Sequence, residues 1–105
     1  MEKSMIIPVV GVTFENRQDI LNEFFKNYHC GGKYLIKLVK EDDNPYDKNA
    51  VAVYLEKTNE QIGYISKNEN EFIRKEFDNI KEVVIHSVNP NSKGIIAASI
   101  VIYFN

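Results

Sequence analysis

The stretch "DNPYDKNAVAVYLE", Asp43 to Glu56, joins a loop dense in hydrogen-bonding side chains to an alternating apolar run. Within "AVAVYLE", Val51, Val53 and Leu55 fall on one face and Ala52, Tyr54 and Glu56 on the other. That is the period of a strand with one face turned to a core. "KTNE" follows as a turn and "QIGYIS" as a short strand, so the two runs form a hairpin. The loop ahead of it is stiff by composition: Pro45 fixes its own φ and holds Asn44 extended. Asx side chains also bond readily to amides two residues on. Such a loop is either a well-made turn or a shaped receptor, and the residues alone leave both open.

Working outward, "KYLIKLVK" (33–40) reads as another strand, with Tyr34, Ile36 and Leu38 sharing a face. Before it the period lengthens. In "NRQDILNEFFKNYHCGG", Ile20, Leu21, Phe24, Phe25 and Tyr28 recur at helical spacing. Asn16 is placed to cap this helix, Asp19 suits the positive end of its dipole, and Gly31 with Gly32 would stop it. "IIPVVGVTF" (6–14) reads as the first strand, with Pro8 marking a sheet edge and Gly11 a bulge or a close backbone approach. Downstream, Ser66 or Asn68 would cap a second helix, "NENEFIRKEFDNI", whose Phe72, Ile73, Phe77 and Ile80 form an apolar stripe. Phe24, Phe25, Phe72 and Phe77 are expected in the core, and Tyr34, Tyr54 and Tyr64 in the barrel wall. "EVVIHSV" and "GIIAASIVIYF" are two last strands joined by the turn "NPNSK". The fold class is mainly β with two helices: a small OB-like or SH3-like curled barrel of about six strands, its openings covered by the helices.

The chain has 105 residues, 44% hydrophobic and 27% charged, which fits a single domain over residues 1–105 with a modest core. Cys30 is the lone cysteine, so no internal disulfide forms and a reducing, cytoplasmic setting is expected. The first residues lack the pattern of a secretory signal, and no apolar run is long enough to span a bilayer, so no membrane partner is expected. His29, Cys30 and His86 do not have metal-ligand spacing, and no glycine-rich phosphate loop occurs; no cofactor is expected. The formal charge of −2 excludes broad coating of duplex DNA, which needs a basic surplus, but leaves room for a pocket that grips one terminus. Nothing activates Cys30 as a nucleophile. Glu41, Asp42, Asp43 and Asp47 read as a solvated acidic loop before they read as the ligands of a metal-dependent nuclease. The chain is expected not to be an enzyme.

Tyr46, between a proline and an aspartate, is poorly placed for a core and is expected at the surface. An exposed ring beside an acceptor is how proteins hold an unstacked base and its sugar. Ionised Asp47 only accepts hydrogen bonds, so it favours a hydroxyl and repels a phosphate. Lys48 is expected in solvent, and Asn49 as closing the turn.

"VVGVTFENRQDIL", "DNPYDKNAVAV" and "QIGYISK", in this order and spacing, resemble the HIRAN domain over residues 6 to 80. The Asn-Pro-Tyr-Asp-x-Asn-Ala segment is the most specific part. The resemblance implies a modified OB-like barrel that captures a single-stranded DNA 3′ end and reads its hydroxyl in a pocket, serving DNA repair, replication or mobile-element processing. It implies stacking by Tyr46 and Phe14, acceptance of the 3′-hydroxyl by Asp47, and either bracing of the loop or donation to the nucleotide by Asn44. Val10 and Gly11 would lie beneath the ligand, and Lys67 would hold a phosphate. Thr13 stands where the helicase-like members carry an arginine, and Tyr64 where they carry a histidine. Losing that cation lowers affinity and flattens salt dependence. Arg17, at the start of the first helix, would compensate from a different direction, and Arg17 or Lys40 would join Lys67 in holding the first phosphates. The implied partners are the DNA 3′ end and a helicase or nuclease in trans. The alternative is a protein-interaction module using the same groove, and more remotely a metal-dependent nuclease.

Overall fold

The computed structural model describes residues 3–105. Strand β1 (Lys3–Val10) leads to helix α1 (Arg17–Lys26), then β2 (Ile36–Lys40), β3 (Val51–Leu55) and β4 (Glu60–Ile65). Helix α2 (Asn70–Lys75) and a 3₁₀ turn (Phe77–Asn79) precede β5 (Ile80–Pro90) and β6 (Ile96–Phe104). All six strands pair antiparallel in the order β2-β3-β4-β1-β6-β5. The sheet curls until a single bridge, Leu35 to Val84, brings its two ends together, and the Ile85 amide donates to the Tyr34 carbonyl at 2.9 Å. The mainly β curled barrel with two helices is therefore what the chain forms.

Its interior is aliphatic: Val51, Val53, Ile62, Ile73, Val88, Ile100 and Ile102 are fully buried, and Leu21 is the residue α1 inserts. The β3–β4 hairpin forms as the pattern requires, turning at Asn59 with φ 59°. Ala52, expected on the outer face, is buried as completely as its neighbours.

Several local expectations are corrected. Strand β1 ends at Val10, because Gly11 takes φ 70°; it terminates the strand and does not bulge it. Pro8 does not mark a sheet edge, since β1 lies between β4 and β6. However, the β4 ladder starts only at Val9, so Pro8 precedes any partner on that flank. Asn16 makes no side-chain capping bond, and α1 stops at Asn27, short of the glycines. The N-cap of α2 is Glu69, likewise without a side-chain bond; the Ser66 hydroxyl accepts from the Asn68 amide one step earlier. That helix is only six residues long, so its stripe does not continue. Ile73 is buried, but Phe72 is 49% exposed, its ring set edge-to-face with Phe104 at 6.1 Å between ring centres.

Candidate nucleic-acid interface

The Gly11 turn sets one wall of a concavity. The Phe14 amide donates to the Gly11 carbonyl (3.4 Å) and the Arg17 amide to the Phe14 carbonyl (3.2 Å), so residues 11–17 fold back over the end of β1. Gln18 pins this turn to β6: its amide nitrogen donates to the Val12 and Ile96 carbonyls, and its oxygen accepts from the Ile96 amide. Arg17 is 5% exposed. Its Nη1 donates to the Gly11 carbonyl at 2.7 Å, its Nη2 meets Glu15 Oε1 at 2.9 Å, and its guanidinium lies 5.1 Å from the centre of the Tyr64 ring. A Cβ on Gly11 would sit 3.2 Å from Arg17 Nη1 and 3.8 Å from both Phe14 Cδ2 and Tyr64 Cδ2. The glycine is thus demanded by its φ and by the packed guanidinium.

The 41–50 loop forms the facing wall, and it is heavily braced. Asn44 Oδ1 accepts from the amides of Tyr46 (2.9 Å) and Asp47 (3.1 Å), the Asx geometry its sequence foretells. Glu41 Oε1 accepts from both Asn44 Nδ2 (3.0 Å) and the Tyr64 hydroxyl (2.8 Å), tying the loop to β4. Arg74 on α2 donates to the carbonyls of Asn49 (2.9 Å) and Ala50 (3.0 Å) and pairs with Asp42 at 2.7 Å. Asp47 Oδ1 accepts from the Asn49 amide (2.9 Å) and Oδ2 from Asn70 Nδ2 (2.8 Å). Asn49 closes the turn with its backbone, while Lys48 is exposed.

Between the walls lies an open cavity of about 670 Å³. Val10, Gly11, Phe14, Arg17, Asn44, Tyr46, Asp47, Tyr64 and Lys67 line it together with Glu15, Ala50 and Ile65. Thr13 is exposed and does not line it. Lys40 is not there either; its ammonium lies over the Phe77 ring. Tyr46 is 90% exposed and Phe14 64%, so neither ring is held by the core. Asp47 has no cationic partner, and Lys67 no acidic one, among the described residues. Tyr64 serves wall and cavity at once. Burial pushes its phenol above the ordinary value, and the Glu41 carboxylate adds to this against opposing contributions from Gln61 and Arg17. The Arg74 hydrogen bond and charge hold the Asp42 carboxyl below its ordinary value. Among the described residues no cluster of His, Cys, Asp and Glu is arranged to hold a metal, and no helix is long and apolar enough to cross a membrane.

The sequence reading missed Glu41 as a hub, and it missed Gln18, Asn70 and Arg74 altogether. The first had a signal, an acid at the start of a braced loop. The others act across chain separations that no local pattern reveals.

The fold is similar to that of the HIRAN domain of human HLTF, at 21% identity, with 96% of this chain and 74% of that one covered and a TM-score of 0.63. It is also similar to a protein from Lactobacillus plantarum, at 17% identity over the full length of both chains, with a TM-score of 0.58. No curated protein matches the chain. The family model for the HIRAN domain matches residues 7–103. That match runs from within β1 to the end of β6 and takes in both walls of the cavity, so the chain belongs to the HIRAN family of DNA-binding domains.

Proposed function

We propose that this chain is a non-catalytic module that captures the 3′ end of single-stranded DNA. One observation carries the reading: an exposed Tyr46 ring stands beside an Asp47 carboxylate whose two oxygens each accept one bond from a neutral donor. Each oxygen keeps capacity for another donor, and a terminal hydroxyl supplies one. Tyr46 and Phe14 offer stacking faces, worth about 1–3 kcal/mol per base. The charge on Asp47 excludes a terminal phosphate, and Asn44 keeps the bend in shape. Lys67, which has no acidic partner among the described residues, takes the first phosphate, and Arg17 adds its charge from the cavity wall. Arg17 approaches from the start of α1 and so replaces the cation absent at Thr13. A captured end would be presented to a helicase or nuclease in trans during repair, replication or mobile-element processing.

The test is a titration of labelled oligo-dT carrying a 3′-hydroxyl against the same strand carrying a 3′-phosphate, with and without magnesium. Preference for the hydroxyl that vanishes in Asp47→Ala supports end capture. Negligible binding of both strands assigns the groove to a protein partner, and cleavage that requires magnesium assigns it to a nuclease.

A further inference from the structure

Arg17 and Asn70 are the two buried polar residues among those described, and both serve the cavity. Arg17 forms part of its wall. Asn70 stands behind it, 3% exposed, its amide nitrogen 2.8 Å from Asp47 Oδ2. A buried amide is costly unless bonded, so Asn70 is retained for what it holds. It is not needed to begin α2, because its backbone amide already donates to the Ser66 carbonyl at 2.9 Å. What its side chain does is fix the plane of a carboxylate that faces an open cavity.

We infer that Asn70 is a positioning residue for hydroxyl recognition: it aims Asp47 so that a lone pair points at the terminal sugar hydroxyl. This rests on the end-capture reading. The Asn70 amide and the Asn49 backbone amide grip opposite oxygens of Asp47, and both are neutral. The carboxylate therefore keeps its full charge while losing its rotation. Orientation and charge are then separate properties of one side chain. Asn70 controls the first and leaves the second untouched, so the two can be read apart with two altered DNA ends.

A 2′,3′-dideoxy terminus lacks the hydroxyl but adds no charge, so it reports the aimed hydrogen bond. A 3′-phosphate reports repulsion by the charge. The wild-type chain prefers the 3′-hydroxyl to both. In Asn70→Ala the preference over the dideoxy end falls well below about tenfold, the worth of one hydrogen bond to a charged group. Rejection of the 3′-phosphate persists. Asp47→Ala loses both preferences.

An unchanged preference over the dideoxy end in folded Asn70→Ala overturns the role. Simultaneous loss of both preferences does so too, since it would show that Asn70 only supports the loop. A wild-type chain without any hydroxyl preference overturns end capture itself. Should Asn70→Ala fail to fold, Asn70→Leu carries the test. It fills nearly the same buried volume without a donor for Asp47 Oδ2, so preference over the dideoxy end is lost in it as well, whereas retained preference overturns the inference.

Discussion

Replacing Arg74 with alanine removes the clamp between α2 and the 41–50 loop. Two bonds from a guanidinium to the carbonyls of Asn49 and Ala50 are lost, along with the pair to Asp42. Hydrogen bonds involving a charged group contribute about 1.5–3 kcal/mol each. The Arg74 side chain is 18% exposed, so water replaces part of that, and a total loss of about 2 kcal/mol follows. The Asp42 pair adds little, because that carboxylate is 82% exposed. In a chain of this size the loss lowers Tm by about 10 °C. Urea unfolding followed by circular dichroism measures it. Arg74→Lys recovers only part, since one ammonium cannot reproduce the fork. The Asp42 carboxyl also reports the clamp. Its folded value is depressed, chiefly by the bond from Arg74, so its contribution is present above pH 3.8 and fades as pH falls through the folded value. In Arg74→Ala an NMR titration should show Asp42 returning toward its ordinary range. If Arg74→Ala costs no more stability than Asp42→Asn, the guanidinium is not holding the loop and the reasoning fails.

Neutralising Glu15, which meets Arg17 at 2.9 Å from a backbone at φ 56°, frees a cavity cation. Glu15→Gln should bind single-stranded DNA several-fold more tightly, with a salt slope steeper by about 0.7, as read by fluorescence anisotropy across a salt series. Tyr64 has a raised phenol value, so its contribution to stability is present below pH 10.0 and lost as pH rises through the folded value. Absorbance titration should show one tyrosine ionising late, and that step should be missing from Tyr64→Phe. Gly63 lies at the β1–β4 seam, where a Cβ would collide with the Val10 carbonyl oxygen and lie 2.5 Å from Val9 Cγ1. Gly63→Ala should lose about 3 kcal/mol or fail to fold, by denaturant titration. Tyr46→Ala, at a 90% exposed position, should leave Tm unchanged while weakening DNA binding by about 1–3 kcal/mol.

The hairpin and α1 were legible because periodicity directly reports which side chains share a buried face. The loop was legible because Asn44 and Pro45 act on neighbours two or three residues away. What escaped was set by distant parts of the chain. Arg17 was legible as a cation of the site, but its burial was not: that follows only once β1 pairs with β4 and brings the Tyr64 ring beneath it. Asn70 and Arg74 lie more than twenty residues from the loop they brace, and nothing around them hints at it. Phe72 was misplaced because its apolar stripe assumed a helix longer than six residues. Gly11 was placed correctly as a special position, but whether it bulges or ends the strand depends on the Phe14 amide turning back to its carbonyl.

End capture is tested most directly by competition between two strands of identical sequence and length, one linear with a 3′-hydroxyl and one closed into a circle. Both present the same bases and nearly the same phosphates; only the linear strand has a terminus for Asp47 to hold. The linear strand should displace a labelled oligonucleotide at concentrations at least tenfold lower than the circle, roughly the worth of one hydrogen bond to a charged group. Equal competition by circle and line would contradict the account.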